Sequence, residues 1–243
     1  MNPISDYLLH RLTFSPRVLL SLCLAITLAM TLGLVIYCLL DVSLGSIFSI
    51  LFVSGLLGIG LNELAKNLGI GTVFSFSVSV GCCSPMILGL GSVGYTLRDI
   101  LGFVLMTWVI CCGMMSMTQG IGRLIGYGPG GGLLLTLFLG WMTWPVWMSP
   151  YFHTLWGQWC IDHLLGYQPL FAVASLFPEM GDWTHAPIAY ARLTNLGQDV
   201  LYAYPSGPGK SVALHTGLAV VGMLIALAKY PARPNASDPN TTC

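Results

Sequence analysis

Charge is what this sequence has least of. Of its 243 residues only 7% are Asp, Glu, Lys or Arg, and nine basic residues balance nine acidic ones. A soluble domain carries about a quarter. So few charges cannot cover a water-facing surface, which excludes an ordinary soluble globule. A hydrophobic share of 55% excludes a disordered chain. Zero net charge without a basic stripe argues against nucleic acid as a partner. No apolar run has an acid or base at its centre, which argues against a proton-coupled carrier or a charge-lined channel. Paired exposed thiols are also missing. Cys23, Cys38, Cys82, Cys83, Cys111 and Cys112 fall in apolar stretches, and only Cys160 and Cys243 have more polar surroundings, so no disulfide framework is expected.

Long hydrophobic runs are what the chain has instead. Crossing the hydrocarbon core takes about 20 apolar residues. Six segments qualify: 17–40, 45–62, 71–93, 99–120, 131–149 and 211–229. The third is the weakest, because Ser75, Ser77, Ser79, Ser84 and Pro85 lower its hydropathy. The links 41–44 and 94–98 are short enough to force hairpins, making spans one and two antiparallel neighbours, and likewise spans three and four. Ahead of them, 1–16 places Ile4, Tyr7, Leu8, Leu9, Leu12 and Phe14 at helical spacing among polar residues, an amphipathic helix for the membrane surface. It is not a clean signal peptide, since the apolar run behind it is too long and no cleavage site closes it. The expected fold is therefore all-α: a polytopic bundle of about six transmembrane helices with an N-terminal interfacial helix.

Basic residues set the orientation. With the N-terminus in the cytoplasm, Arg11, Arg17, Lys66, Arg123, Lys229 and Arg233 lie inside, and Arg98, Arg192 and Lys210 outside. This favours both termini in the cytoplasm and residence in the cell (inner or plasma) membrane. The chain then divides into the surface helix 1–16, a five-span bundle 17–149, an extracytoplasmic loop 150–210, a sixth span 211–230 and a polar, disordered tail 231–243. The loop opens on Trp141, Trp144, Trp147, Tyr151, Phe152, Trp156 and Trp159, residue types that favour the headgroup level. Its stretch 155–177 is apolar but interrupted by Asp162, His163, Gly166 and Pro169. It reads as two short helices dipping into the interface, not as a seventh span. The tail's Asn235 and Asn240 match the glycosylation pattern but carry no role on a cytoplasmic tail.

Several patterns invite a chemical reading and each has a plainer one. Gly207-Pro208-Gly209-Lys210-Ser211 resembles the end of a phosphate loop, but Tyr204 stands where that loop needs glycine; the plainer reading puts Lys210 at the interface and Ser211 as an N-cap. The run Gly126–Gly132 is a flexible break or plain turn between spans four and five, with a hinge as the sharper alternative. Ser54/Gly58, Ser116/Gly120 and Gly122/Gly126 are small pairs at four-residue spacing, suited to packing within the bundle or to a dimer face. Cys82/Cys83 and Cys111/Cys112 lie equally far from the hairpin near Leu97, with Met86, Met106, Met114, Met115 and Met117 on the same two spans. Such soft ligands suit Cu(I), yet adjacent residues point about 100° apart, and packing is the plainer role. His153, Asp162, His163, Glu179, Asp182 and His185 share the outer loop without metal-ligand spacing. Glu63 and Lys66 follow span two on one helical face and can pair.

Two family resemblances follow. Ser92 at the end of span three and His215 early in span six resemble the serine–histidine pair of intramembrane rhomboid proteases, and both fall near the outer face. The first loop is far shorter than a rhomboid's, and span two holds no buried histidine. The overall layout resembles the membrane subunits of ABC-2-type export permeases. The resemblance implies that 1–16 is an elbow helix and that Gly166-Tyr167-Gln168-Pro169-Leu170-Phe171-Ala172 begins an outer re-entrant pair. It lies in topology across most of the chain and carries no residue motif. The 62–70 loop is short for a coupling helix, though Asn62 to Asn67 gives one or two turns, and the outer loop is longer than usual.

The leading expectation is thus a permease subunit without enzymatic activity or cofactor of its own. Its partners would be the bilayer, a separate ATPase met through Glu63 and Lys66, and a second copy of itself. The alternative is a non-enzymatic scaffold whose outer loop binds an envelope partner through Trp156, Trp159 and Trp183. A membrane-embedded enzyme or metal protein is third.

Overall fold

The computed structural model describes residues 16–40, 43–61, 68–177 and 205–228. Nearly all of the expected surface helix, Glu63 and Lys66, the outer-loop residues Glu179, Asp182, Trp183 and His185, and the tail lie outside the described residues. The described chain forms α1 (Pro16–Leu40), α2 (Leu44–Gly60), α3 (Leu68–Val93), α4 (Leu97–Ile125), α5 (Tyr127–Met148), α6 (Leu155–Leu164), α7 (Pro169–Ala174) and α8 (Gly209–Leu227), with single 3-10 turns at Ser149–Tyr151 and Leu165–Tyr167. No strand occurs among the described residues. Five of these helices, α1, α3, α4, α5 and α8, are long and apolar enough to cross a membrane. The expected second span is shorter: α2 has 17 residues, about 25 Å at 1.5 Å per residue against a core of about 30 Å. The protein is an all-α polytopic helical bundle.

Local chemistry sets where the helices start. Ser43 and Ser46 form a reciprocal capping box at the head of α2, the Ser43 Oγ accepting from the Ser46 N–H and the Ser46 Oγ accepting from the Ser43 N–H at 3.1 Å. Thr96 caps α4 by accepting from the Asp99 N–H, and its hydroxyl donates to the Asp99 carboxylate at 2.5 Å. Asp99 in the first turn and Arg123 in the last both complement the helix dipole. Between α3 and α4 the chain reverses at Gly94, whose φ of 94° is open to glycine at little cost.

The glycine-rich stretch after α4 behaves differently from the expected flexible break. Gly126 alone is non-helical, at φ 98°, and Tyr127 through Gly132 already belong to α5. Among them Gly130 serves close packing, since a β-carbon there would lie 3.1 Å from the Gly122 backbone nitrogen, whereas Gly128, Gly131 and Gly132 have open space around them. The last span also starts before its expected N-cap. Pro208 holds that position, while Ser211 lies inside the first turn and is buried.

α4 is the hub, packed against α2, α3, α5 and α8. α1 touches α2 as the short link requires, but its main partner is α3, where Gly33 meets the Cys82 backbone and Ala29 meets Gly81. α8 runs parallel to α4, since Gly113 faces His215, Gly120 faces Gly222, and Arg123 donates to the Ala226 carbonyl. This register puts the start of α8 level with roughly residue 107 of α4, about ten residues (~15 Å) short of that helix's N-terminal end. The vacant length is taken by α7 and its continuation. Leu176 packs on Gly102, and the Phe177 ring stands edge-on to Phe103 at 6.2 Å and to Tyr95 at 5.2 Å.

Candidate functional site: one mouth of the bundle

The end of α5, the α6–α7 hairpin and the start of α8 meet at one mouth of the bundle. Two short interfacial helices were expected over 155–177, and two are found. They differ in kind. All six residues of α7 are buried, from Pro169 to Ala174, so this helix is inserted among α2, α4 and α8 rather than lying on the surface. Non-helical backbone is tolerated at membrane depth only where protein satisfies it. Gln168 does this at the turn into α7. Its Oε1 accepts from the N–H groups of Leu170 (2.6 Å) and Phe171 (3.0 Å), and its Nε2 donates to the Met142 carbonyl at 3.1 Å. Sequence reasoning missed Gln168; the available signal was a polar residue directly before a proline in an apolar run.

α6 is amphipathic in the opposite sense. Thr154 caps it by accepting from the Gly157 N–H at 3.1 Å. Leu155, Trp156 and Trp159 are exposed, whereas Gly157, Cys160 and Ile161 face the bundle. Cys160, expected in polar surroundings, is in fact buried, and that burial pushes its thiol pKa up. Of the partner-binding candidates, Trp156 and Trp159 therefore share the exposed face of α6, while Trp183, Glu63 and Lys66 lie outside the described residues.

Among the described residues the loop histidines and acids are not drawn into a cluster. His163 stacks on Trp159, centroids 4.8 Å apart, and its Nδ1 bonds the Trp159 carbonyl at 2.9 Å. Asp162 accepts from Gln158 Nε2 at 3.3 Å, and His153 is exposed. No three His, Cys, Asp or Glu side chains come together as a metal site among the described residues. Asp162 and Lys210 face a cavity of about 600 Å³ together with Gly207 and Gly209, and Lys210 Nζ sits 5.9 Å from the centre of the Tyr167 ring.

The rhomboid-like pair does not assemble. His215 is buried level with Gly113, sixteen residues along α4 from Leu97, which is about 24 Å. Ser92 sits at the far end of that length, exposed, donating to the Gly89 carbonyl at 2.7 Å. His215 Nδ1 instead bonds the Ser211 carbonyl at 2.8 Å within its own helix. Depth estimated from span ends missed this because α8 starts partway down α4.

The cysteines of α3 and α4 do meet at similar depth. Cys83 lies against Thr107 and Cys111 against Ser79, and the Ser79 hydroxyl donates to the Ser75 carbonyl at 2.8 Å. Cys82, Cys83 and Cys111 are buried and free. The small-residue pairs likewise serve packing inside the bundle: Gly58 faces the Cys111 backbone, Ser116 and Gly120 face Gly222, and Gly122 faces Tyr127.

Compared with known proteins, the chain matches no family model, no curated protein and no solved structure. Its apolar helices make it a multi-pass integral membrane protein.

Proposed function

We propose that this chain is the membrane-spanning permease subunit of an export transporter powered by a separate ATPase. The observation that carries the reading is the re-entrant hairpin: α7 is fully buried at one mouth of the bundle and its backbone is satisfied by Gln168. A broken helix inserted beside the spans is costly to maintain and suits a gate at the exit of a path. The apolar spans lack a central charge for ion coupling, so the energy would come from another chain. In this reading both termini are cytoplasmic, and Glu63 and Lys66, between α2 and α3 in the sequence, meet the ATPase. Two copies assemble, and cargo passes at their seam in the cell membrane.

The test is to purify the tagged chain in mild detergent from its native host and identify its companions by mass spectrometry. The reading expects a stoichiometric P-loop ATPase, lost on joint charge reversal at Glu63 and Lys66. Its absence from the purified complex would overturn the reading. The exposed Trp156 and Trp159 favour a second one, a non-enzymatic scaffold that holds an envelope protein by its outer face. An envelope protein recovered in place of an ATPase would support it.

A further inference from the structure

The cavity of about 600 Å³ at the start of α8 brings two opposite charges to one space. Asp162 reaches it from α6 and Lys210 from the first turn of α8, while Ile161, Leu165 and Pro205 supply apolar wall. The volume falls in the range of ligand sites, roughly 300–1,000 Å³. Gly166 seats the lysine. The Lys210 Cδ would lie 3.0 Å from a β-carbon on that glycine, so the stem crosses the turn where no side chain stands.

Neither charge neutralises the other. Among the described residues Asp162 meets only the Gln158 amide, at 3.3 Å, and the Lys210 ammonium only the Tyr167 ring, 5.9 Å from its centre. At that distance the ring takes up none of the three ammonium N–H donors. The backbone adds to the cationic side. No side chain caps α8, and its first internal bond runs from the Val212 N–H to the Pro208 carbonyl. The N–H groups of Gly209 and Lys210, two residues of the cavity wall, are therefore without acceptors at the positive end of the helix dipole. One end of the cavity offers several donors and positive charge, and the other a carboxylate. The matching ligand has an anionic group with several acceptor oxygens, joined to an ammonium.

We propose that this cavity binds a zwitterionic phosphodiester of the phosphoethanolamine type, its phosphate on Lys210 and the first amides of α8 and its ammonium on Asp162. Phosphate accepts from a lysine and from helix N-terminal amides at once, and an anion without the ammonium would be set against the Asp162 carboxylate. Such a group occurs both in the headgroup of a membrane lipid and in water-soluble phosphodiesters. The site stands on its own geometry and does not depend on an ATPase partner.

The experiment is isothermal titration calorimetry on the full chain, delipidated in an uncharged maltoside detergent. The probes are glycerophosphoethanolamine, glycerophosphoglycerol, which lacks the ammonium, and dihexanoyl phosphatidylethanolamine. Binding at a single site per chain is expected, with the ethanolamine diester held about fivefold more tightly than the glycerol one. Lys210→Gln should weaken the ethanolamine diester about tenfold. Asp162→Asn should erase the preference for the ammonium and leave glycerophosphoglycerol bound at least as tightly as before. Both side chains are exposed, and unchanged thermal melting of each variant shows that the bundle is intact. Tighter binding of the lipid than of its soluble headgroup supports the proposal with a membrane lipid as the occupant, and equal binding supports it with a soluble phosphodiester. Absence of saturable binding by all three probes overturns it. So does equal binding by Lys210→Gln and the parent, or a parent that does not prefer the ammonium.

Discussion

Gly222 has no side chain where α8 meets α4, and the two backbones touch there. A β-carbon at this position would fall 2.5 Å from the Met117 nitrogen and 2.6 Å from the Ser116 oxygen, backbone atoms that cannot move aside. Gly217, on the same helix, has open space around it. Gly222→Leu should therefore destabilise the protein by about 1–3 kcal/mol, while Gly217→Leu should leave it unchanged, as read by denaturant titration in detergent. Equal effects would mean that α8 does not dock on this face. Gln168 poses a different residue-scale case. Gln168→Leu removes the acceptor of the Leu170 and Phe171 N–H groups and the donor to the Met142 carbonyl in a buried turn, and a loss of about 3 kcal/mol is expected. A thermal melt within a degree of the parent would show that α7 is not held as described.

At the scale of elements, hydrophobic runs alone located the spans to within a few residues, because crossing a bilayer demands length and apolarity and both are visible in composition. The break at Asp162, Gly166 and Pro169 likewise located α6 and α7. Partnerships were less legible. Adjacency along the chain suggested α1 beside α2, and the two do touch, but α1 packs mainly on α3, and nothing local says which small residues will meet. The insertion of α7 was hidden for the same reason: its six apolar residues suit an interface or a core equally. The stretch after Gly126 shows how composition misleads. Glycines read as a flexible link, yet all but one are helical. Gly128→Ala, in open space, should then stabilise the protein by about 0.5–1 kcal/mol, whereas Gly126→Ala at φ 98° should destabilise it. Destabilisation by both, measured by thermal melting, would restore the loop.

For the whole molecule, sidedness is decisive. The bundle places Val93 and Ser206 toward one end and Gly128 at the other, since α3 ends where α4 starts, α8 begins about ten residues further along α4 in that same half, and α5 leads away from the far end of α4. The export reading takes the first end as the outer one, as the excess of basic residues leads one to expect. In the proposed function that sidedness is what allows the α6–α7 hairpin to serve as an exit gate and Glu63 and Lys66 to meet a cytoplasmic ATPase. Single cysteines at Val93→Cys, Ser206→Cys and Gly128→Cys, with the native cysteines replaced, can be labelled on intact cells with a membrane-impermeant maleimide. The account predicts that the first two are labelled directly and Gly128→Cys only after permeabilisation. The reverse pattern would turn the hairpin to the cytoplasm and contradict the export reading at its foundation.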